Sequence, residues 1–300
     1  MKNVLVIGST CVDVIIRLDH LPKTEESLHP ESQRFSVGGC AYNVANILQR
    51  AKVPLTFITP VGGQGVYGGY VKRQLDALNF LDYIDLPEEE NGCCYCFVEK
   101  SGERTFVSHH GVEYTFDAAW MKPHSAKRFD LGYVCGLEIE EKTGGALIEY
   151  LETAPVETLF YAPGPTGVRI PREKNERLYA LHPILHLNAS EAMALGEADS
   201  VAAAARNLMN KTQNTVIVTL GKQGVFWINP NGKTFTLPGV SEKIVDTIGA
   251  GDSHVATTIL GLCRGLPLSA ALSLANRVAA AVVATEGATL PDSDFVALLG

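Results

Sequence analysis

Short runs rich in Val, Ile, Leu and Phe recur along this chain between longer helix-forming stretches, at residues 3–8, 55–61, 131–135, 157–161, 184–187 and 215–219. A strand buried on both faces reads as a near-continuous apolar run. The alternation therefore predicts an α/β fold, with a mostly parallel sheet and helices on both faces. The intervening pieces support this: Val71, Leu75 and Leu78 lie at helical spacing after Tyr67, and residues 201–209 are Ala-rich. The stretch 268–284 is apolar nearly all round, which predicts a buried helix ending before Gly287.

With 300 residues, 46% hydrophobic and 19% charged, the chain can bury one large core. Its formal charge of −8 argues against nucleic acid as the main partner, since that task needs a concentrated basic face. A small-molecule partner is expected instead. Seven cysteines, odd in number and scattered, fit a reducing compartment better than a disulfide framework, which predicts a cytoplasmic protein. At the N-terminus the apolar run Val4–Ile7 is short, Gly8 follows, and Asp13 interrupts the next apolar stretch. Neither a secretory core nor a membrane span can be drawn there.

Two segments break the α/β rhythm, 12–36 and 92–110, where apolar and polar positions alternate between turn residues. They are expected to pair as a small separate sheet, with Cys94, Cys96 and Val98 on one face and Gly102 turning the chain before Arg104–Val107. Projecting beside a ligand crevice, such a sheet would act as a lid. The expected division is a core of 1–11, 37–91 and 111–300 with a lid of 12–36 and 92–110. The lid's uncovered edge invites pairing with a second copy, hence a homodimer.

The richest chemical signal is Asp246-Thr-Ile-Gly-Ala-Gly-Asp252 ahead of a long helix-forming run. Gly249, Ala250 and Gly251 let the backbone approach an anion, and free amides opening the helix from Ser253 onward would point at it. Asp252 could then take a proton from an attacking hydroxyl. A Gly-rich turn with Asp252 as an ordinary N-cap fits the same residues. Gly38-Gly39-Cys-Ala-Tyr-Asn43 offers main chain for a ligand to lie against, and Asn43 has a donor and an acceptor for sugar hydroxyls; a plain strand-to-helix turn is the other reading. Asp13, near the end of the first strand, can grip two hydroxyls or sit solvated in a turn. Asn188-Ala-Ser-Glu191 puts a carboxylate where it could hold Mg²⁺ through water, or where it completes a helix cap. Thr219-Leu-Gly221 could approach a nucleotide. The first strand is followed by Gly8-Ser-Thr and not by a dinucleotide fingerprint, which argues against a nicotinamide-dependent oxidoreductase.

In this order and approximate spacing, these motifs resemble those of the ribokinase-like (PfkB) sugar kinases over essentially the whole chain. The resemblance implies a three-layer α/β/α ribokinase-like fold with a β-sheet lid. It also implies an ATP-dependent kinase that phosphorylates a hydroxyl, commonly a primary CH₂OH, of a small sugar. By resemblance, Asp252 is the catalytic base, and Gly249, Ala250 and Gly251 form the anion hole. Asp13, Gly39 and Asn43, with Glu138 as a weaker match, contact the sugar. Asn188 and Glu191 belong to a Mg²⁺–phosphate network, Thr219 and Gly221 to the nucleotide site, and Asn276 lies near adenine. Family members commonly hold K⁺ through backbone oxygens, here those of Asp246, Ile248, Val282, Thr285 and Gly287.

Several residues depart from that pattern. His254 stands where the family usually has an aromatic residue and reads as a satisfied helix histidine. Ala162 and Thr166 replace an aspartate and an arginine that assists the phosphates, a role that Arg169 or Arg104 could take over. Cys93-Cys-x-Cys96 lacks a second ligand pair at finger spacing and reads as lid packing, and His182 and His186 share no helical face. A nucleoside kinase on the same scaffold, or a catalytically weak sugar sensor, remains compatible with these residues.

Overall fold

The computed structural model describes residues 2–285 and 287–299. Its first eight strands are β1 (Val4–Ile7), β2 (Cys11–Leu18), β3 (Ser32–Gly38), β4 (Leu55–Ile58), β5 (Pro60–Gln64), β6 (Ile84–Glu90), β7 (Cys93–Glu99) and β8 (Arg104–His109). Six follow: β9 (Phe129–Cys135), β10 (Val156–Ala162), β11 (Ile184–Asn188), β12 (Val216–Thr219), β13 (Val225–Ile228) and β14 (Thr234–Leu237). The main sheet has eight strands in the order β14-β13-β12-β11-β10-β9-β1-β4. From β4 to β12 all neighbours run parallel, and β13 and β14 add an antiparallel edge.

β1 shows why the chain takes three layers. All four of its side chains are fully buried. Val4 and Val6 point into the core shared with helices Cys40–Arg50, Ala250–Cys263 and Leu268–Val283, while Leu5 and Ile7 point into the opposite core with Gly144–Thr153 and Val201–Thr212. Removing such a side chain from water is worth about 1.5–3 kcal/mol, so a strand apolar on both faces is held centrally. The α/β class, the mostly parallel sheet and the separate small sheet all agree with the sequence reading.

That small sheet has the order β3-β2-β7-β8, with Gly102 in the β7–β8 turn at φ 91°. Cys96 and Val98 pack with Ile15 on one face, with Cys94 against them. Two details differ from expectation. The run 55–61 breaks at Pro60, which has no N–H to continue a ladder, and β5 leaves to pair with β6 in a two-stranded sheet. The antiparallel β13 and β14 edge lacks an alternating helix and so escapes a β-then-α reading. Among the described residues no helix is long and apolar enough to cross a membrane.

Candidate active site

The site gathers at the carboxyl ends of β1, β9, β11 and β12, the place where open parallel sheets hold ligands. Helix Ala250–Cys263 begins beside them, with Gly249 as N-cap in the left-handed region at φ 73°. Here the sequence reading needs correction. The Ser253 amide already donates to the Gly249 carbonyl at 2.8 Å, so the helix opens three residues earlier than expected, and the free first-turn amides are those of Gly251 and Asp252. The glycines have different tasks: a Cβ on Gly249 would come within 2.7 Å of Ala288, whereas one on Gly251 would meet nothing within 4 Å. Gly249 shapes the backbone, and Gly251 leaves open space at the helix N-terminus.

Asp252 lies in the first turn and not at the cap. Its Oδ2 accepts a hydrogen bond from Asn43 Nδ2 at 2.8 Å. Burial pushes its pKa from 3.8 up to about 6, and the bond from Asn43 pulls the other way. Asn43 occupies the first turn of helix Cys40–Arg50, and its buried Oδ1 has no partner in the protein. Asn43 thus holds the carboxylate with one end and presents an acceptor with the other. A Cβ on Gly38 would overlap the Asp13 carboxylate, and one on Gly39, itself at φ 105°, would press on the Ser9 carbonyl at 2.6 Å. The paired glycines make room for Asp13 and for the loop after β1. Burial and the neighbouring Cys94, Asp252 and Asp246 push Asp13 up to about 7.

Glu138 does not take the place expected of a substrate contact. It is fully buried, with Oε1 accepting from the Ser9 amide at 2.7 Å and Oε2 from the Cys135 thiol at 2.7 Å. One oxygen holds the loop that carries Ser9 and the other the end of β9, so Glu138 acts as a buttress. Asn188 and Glu191 form the capping box that the sequence offered as an alternative: Asn188 Oδ1 accepts from the Glu191 amide at 2.9 Å, and Glu191 Oε2 accepts from the Asn188 amide at 2.9 Å. The box nonetheless opens onto the same cavity as Asp252, and burial raises the Glu191 pKa.

Two cavities meet here. One of about 140 Å³ is lined by Cys40, Tyr133, Asn188, Glu191, Thr219, Gly251 and Asp252, among others. The second, about 340 Å³, is lined by Thr219, Gly221, Gly224, Ala250, Gly251, His254 and Asn276, among others. Thr219 and Gly251 border both, so the Gly249–Gly251 turn lies at their junction.

Sequence reasoning named His186 and His254 separately and missed that they form a pair. Asn276 Nδ2 donates to the Pro238 carbonyl at 3.0 Å, so its Oδ1 accepts from His254 Nε2 at 3.1 Å. His254 Nδ1 is left to accept from His186 Nε2 at 2.8 Å. Burial keeps both rings neutral, lowering His254 to about 4 and His186 well below its usual value. The polar chain crosses from the smaller cavity, which His186 borders, to the larger, which Asn276 borders. Its only signal in the sequence was the histidine at an aromatic position.

Arg169 does not reach the cavities; its guanidinium is paired with Glu140 at 2.9 Å. Arg104, from β8, reaches the Asp246 carboxylate at 3.0 Å and donates to Thr247 Oγ1 at 2.9 Å. Asp246 Oδ1 also accepts from the Ile248 amide at 2.8 Å, and Oδ2 from the Gly287 amide at 3.2 Å. The Val282 carbonyl takes both the amide and the hydroxyl of Thr285. The Asp246 carboxylate is thus filled by donors with a guanidinium beside it, and of the backbone oxygens named for K⁺ that of Val282 already accepts from Thr285.

The Asp252 carboxylate, in the first turn of a helix, thus stands beside two adjoining cavities that together could seat two small molecules. Residues 1–294 match the model of the pfkB family carbohydrate kinases, and the chain belongs to that family. It is 34% identical over 290 residues to the uncharacterized sugar kinase YegV of Escherichia coli, covering 95% of this chain and 90% of that protein. Its fold is similar to that of ribokinase from Thermotoga maritima, with a TM-score of 0.83 at 22% identity over 100% of this chain and 99% of that one. It is likewise similar to aminoimidazole riboside kinase from Salmonella enterica, solved with aminoimidazole riboside and an ATP analog, with a TM-score of 0.80 at 21% identity over 100% of both chains. The chain is therefore a sugar or nucleoside kinase.

Proposed function

We propose that this kinase transfers the γ-phosphoryl group of ATP to a hydroxyl, a primary CH₂OH, of a small sugar, with Asp252 as catalytic base. The observation that carries this is the position of Asp252, bonded to Asn43 on the acceptor side and set one residue from Gly251, which borders both cavities. The larger cavity would take the nucleotide, with Thr219 and Gly221 at its phosphates and Asn276 at its far wall. Asp13 and the free Oδ1 of Asn43 would orient the sugar so that its hydroxyl faces Asp252.

Transfer passes through a loose transition state in most accounts, so the protein mainly positions reactants and stabilises charge on the transferring oxygens. The Gly251 and Asp252 amides serve that role, each such donor being worth about 3 kcal/mol. Asp252 accepts the hydroxyl proton late, as the new bond to phosphorus lowers the hydroxyl's pKa. Mg²⁺, held through water by Glu191, would supply charge to the phosphates. The four-stranded sheet would close over the sugar as a lid, and its half-exposed Phe35 and Phe106, on the two edge strands, offer a surface for a second copy. Seven free cysteines suit a cytoplasmic setting.

A coupled assay of ADP release over a panel of sugars and nucleosides tests the reading. Acceptor-dependent ADP release that falls about 10²–10⁴-fold in Asp252→Asn, with acceptor binding retained, is the expected result. Unchanged turnover in that variant would refute the mechanism.

A further inference from the structure

The four-stranded sheet holds two thiols that the phosphoryl chemistry does not use, set beside a carboxylate that it does. In the lid, Asp13 pairs with Cys94 across β2 and β7, and Cys96 follows two residues along the same face. One ligand atom from each of Asp13, Cys94 and Cys96 lies within 4.8 Å of the others. The two sulfurs are 3.8 Å apart, and Ser108 Oγ on β8 approaches Cys94 Sγ at 3.4 Å. Cys96 packs with Ile15 and Val98, but the carboxylate beside the thiols has no place in an apolar packing account. A tetrahedral centre with metal–sulfur bonds of about 2.3 Å separates its two sulfurs by about 3.8 Å. The thiols therefore already stand at ligand spacing.

We propose that Asp13, Cys94 and Cys96 form a binding site for a soft divalent cation of the zinc class in the roof of the acceptor pocket. Two sulfur donors and one carboxylate select zinc-like ions over Mg²⁺ or K⁺. Three protein ligands leave a fourth position for water, with Ser108 close enough to hydrogen-bond a coordinated sulfur. As the ion binds, each thiol gives its proton to solvent while its sulfur–metal bond forms, and nothing is oxidised. The overlap with the acceptor rests on Asp13 gripping the sugar, as proposed above: cation and sugar would then exclude each other, and the ion would restrain the kinase.

Calorimetric titration of the reduced full-length chain with Zn²⁺, without nucleotide, tests the site directly, and Co²⁺ serves as a coloured stand-in. The expected result is one ion per chain and a thiolate-to-cobalt charge-transfer band. Cys94→Ala and Cys96→Ala should each weaken binding at least tenfold and abolish the band, with folding verified by an ATP-induced rise in melting temperature. No binding by the wild-type chain, or unchanged binding in the double variant Cys94→Ala/Cys96→Ala, overturns the site. In turnover, Zn²⁺ should raise the acceptor KM and leave the ATP KM unchanged; an unaffected acceptor KM overturns the overlap. A chain that binds zinc but phosphorylates no acceptor keeps the metal site and loses the kinase reading, so the two fail separately.

Discussion

Asp252 and its neighbours permit the sharpest tests. A carboxylate raised from 3.8 to about 6 is penalised by burial in its charged form, and a shift of about two units corresponds to about 3 kcal/mol. The penalty is full above pH 6 and fades as the pH falls toward 3.8. Asp252→Asn is therefore expected to unfold at higher denaturant concentration than the wild type at pH 8, by up to about 3 kcal/mol, with the gain disappearing near pH 4. Acid limbs should follow the same logic, kcat/KM falling as Asp252 protonates. Asn43→Ala removes the donor that favours the carboxylate, so that limb should move to higher pH; a profile that stays put would separate Asn43 from the base. Gly249→Ala should destabilise by about 1–3 kcal/mol, because φ is positive and Ala288 is in the way. Gly251→Ala should leave the melting temperature unchanged or slightly raised while lowering kcat/KM for ATP, since it intrudes only on the open space at the cavity junction. Most of these residues were legible in the sequence because they sit in short local motifs. The distinct tasks of Gly249 and Gly251 were not, because they depend on where Ala288 returns from a distant part of the chain.

Among the elements, the helices of 68–77, 201–212 and 268–283 were legible from apolar period and composition, and the small separate sheet from its alternation. Less legible was any contact between elements far apart in sequence. His186 on β11 and His254 on helix Ala250–Cys263 are 68 residues apart, and no local pattern joins them. Arg104 is the clearest case with a functional consequence. From strand β8 it ties the four-stranded sheet to the Asp246–Thr247 turn just ahead of helix Ala250–Cys263. Its guanidinium fixes the turn that precedes Gly249, so Arg104→Gln is expected to lower kcat severalfold while leaving the melting temperature within a few degrees of the wild type; an unchanged kcat would reject this assignment.

For the molecule as a whole, the apolar alternation carries the architecture, and the placement of the motifs at strand ends carries the site. Quaternary structure lies beyond that pattern, because only the folded lid brings Phe106 and Phe35 to exposed edges. Phe106→Lys is expected to reduce the sedimentation coefficient toward that of a monomer if the lid edge joins two copies; a wild-type chain that already sediments as a monomer removes that contact. The order in which the chain is made adds a last consequence. All fourteen strands among the described residues lie before Pro238, whereas Asp252 and the helices of 250–263 and 268–283 come after. On the ribosome, the sheet can therefore be complete while the Val4–Val6 side still lacks much of its covering and Asn43 has no carboxylate to hold. The segment after Pro238 therefore both covers that side of the sheet and brings Asp252 to Asn43, so core closure and assembly of the candidate site fall in the same stage of chain growth.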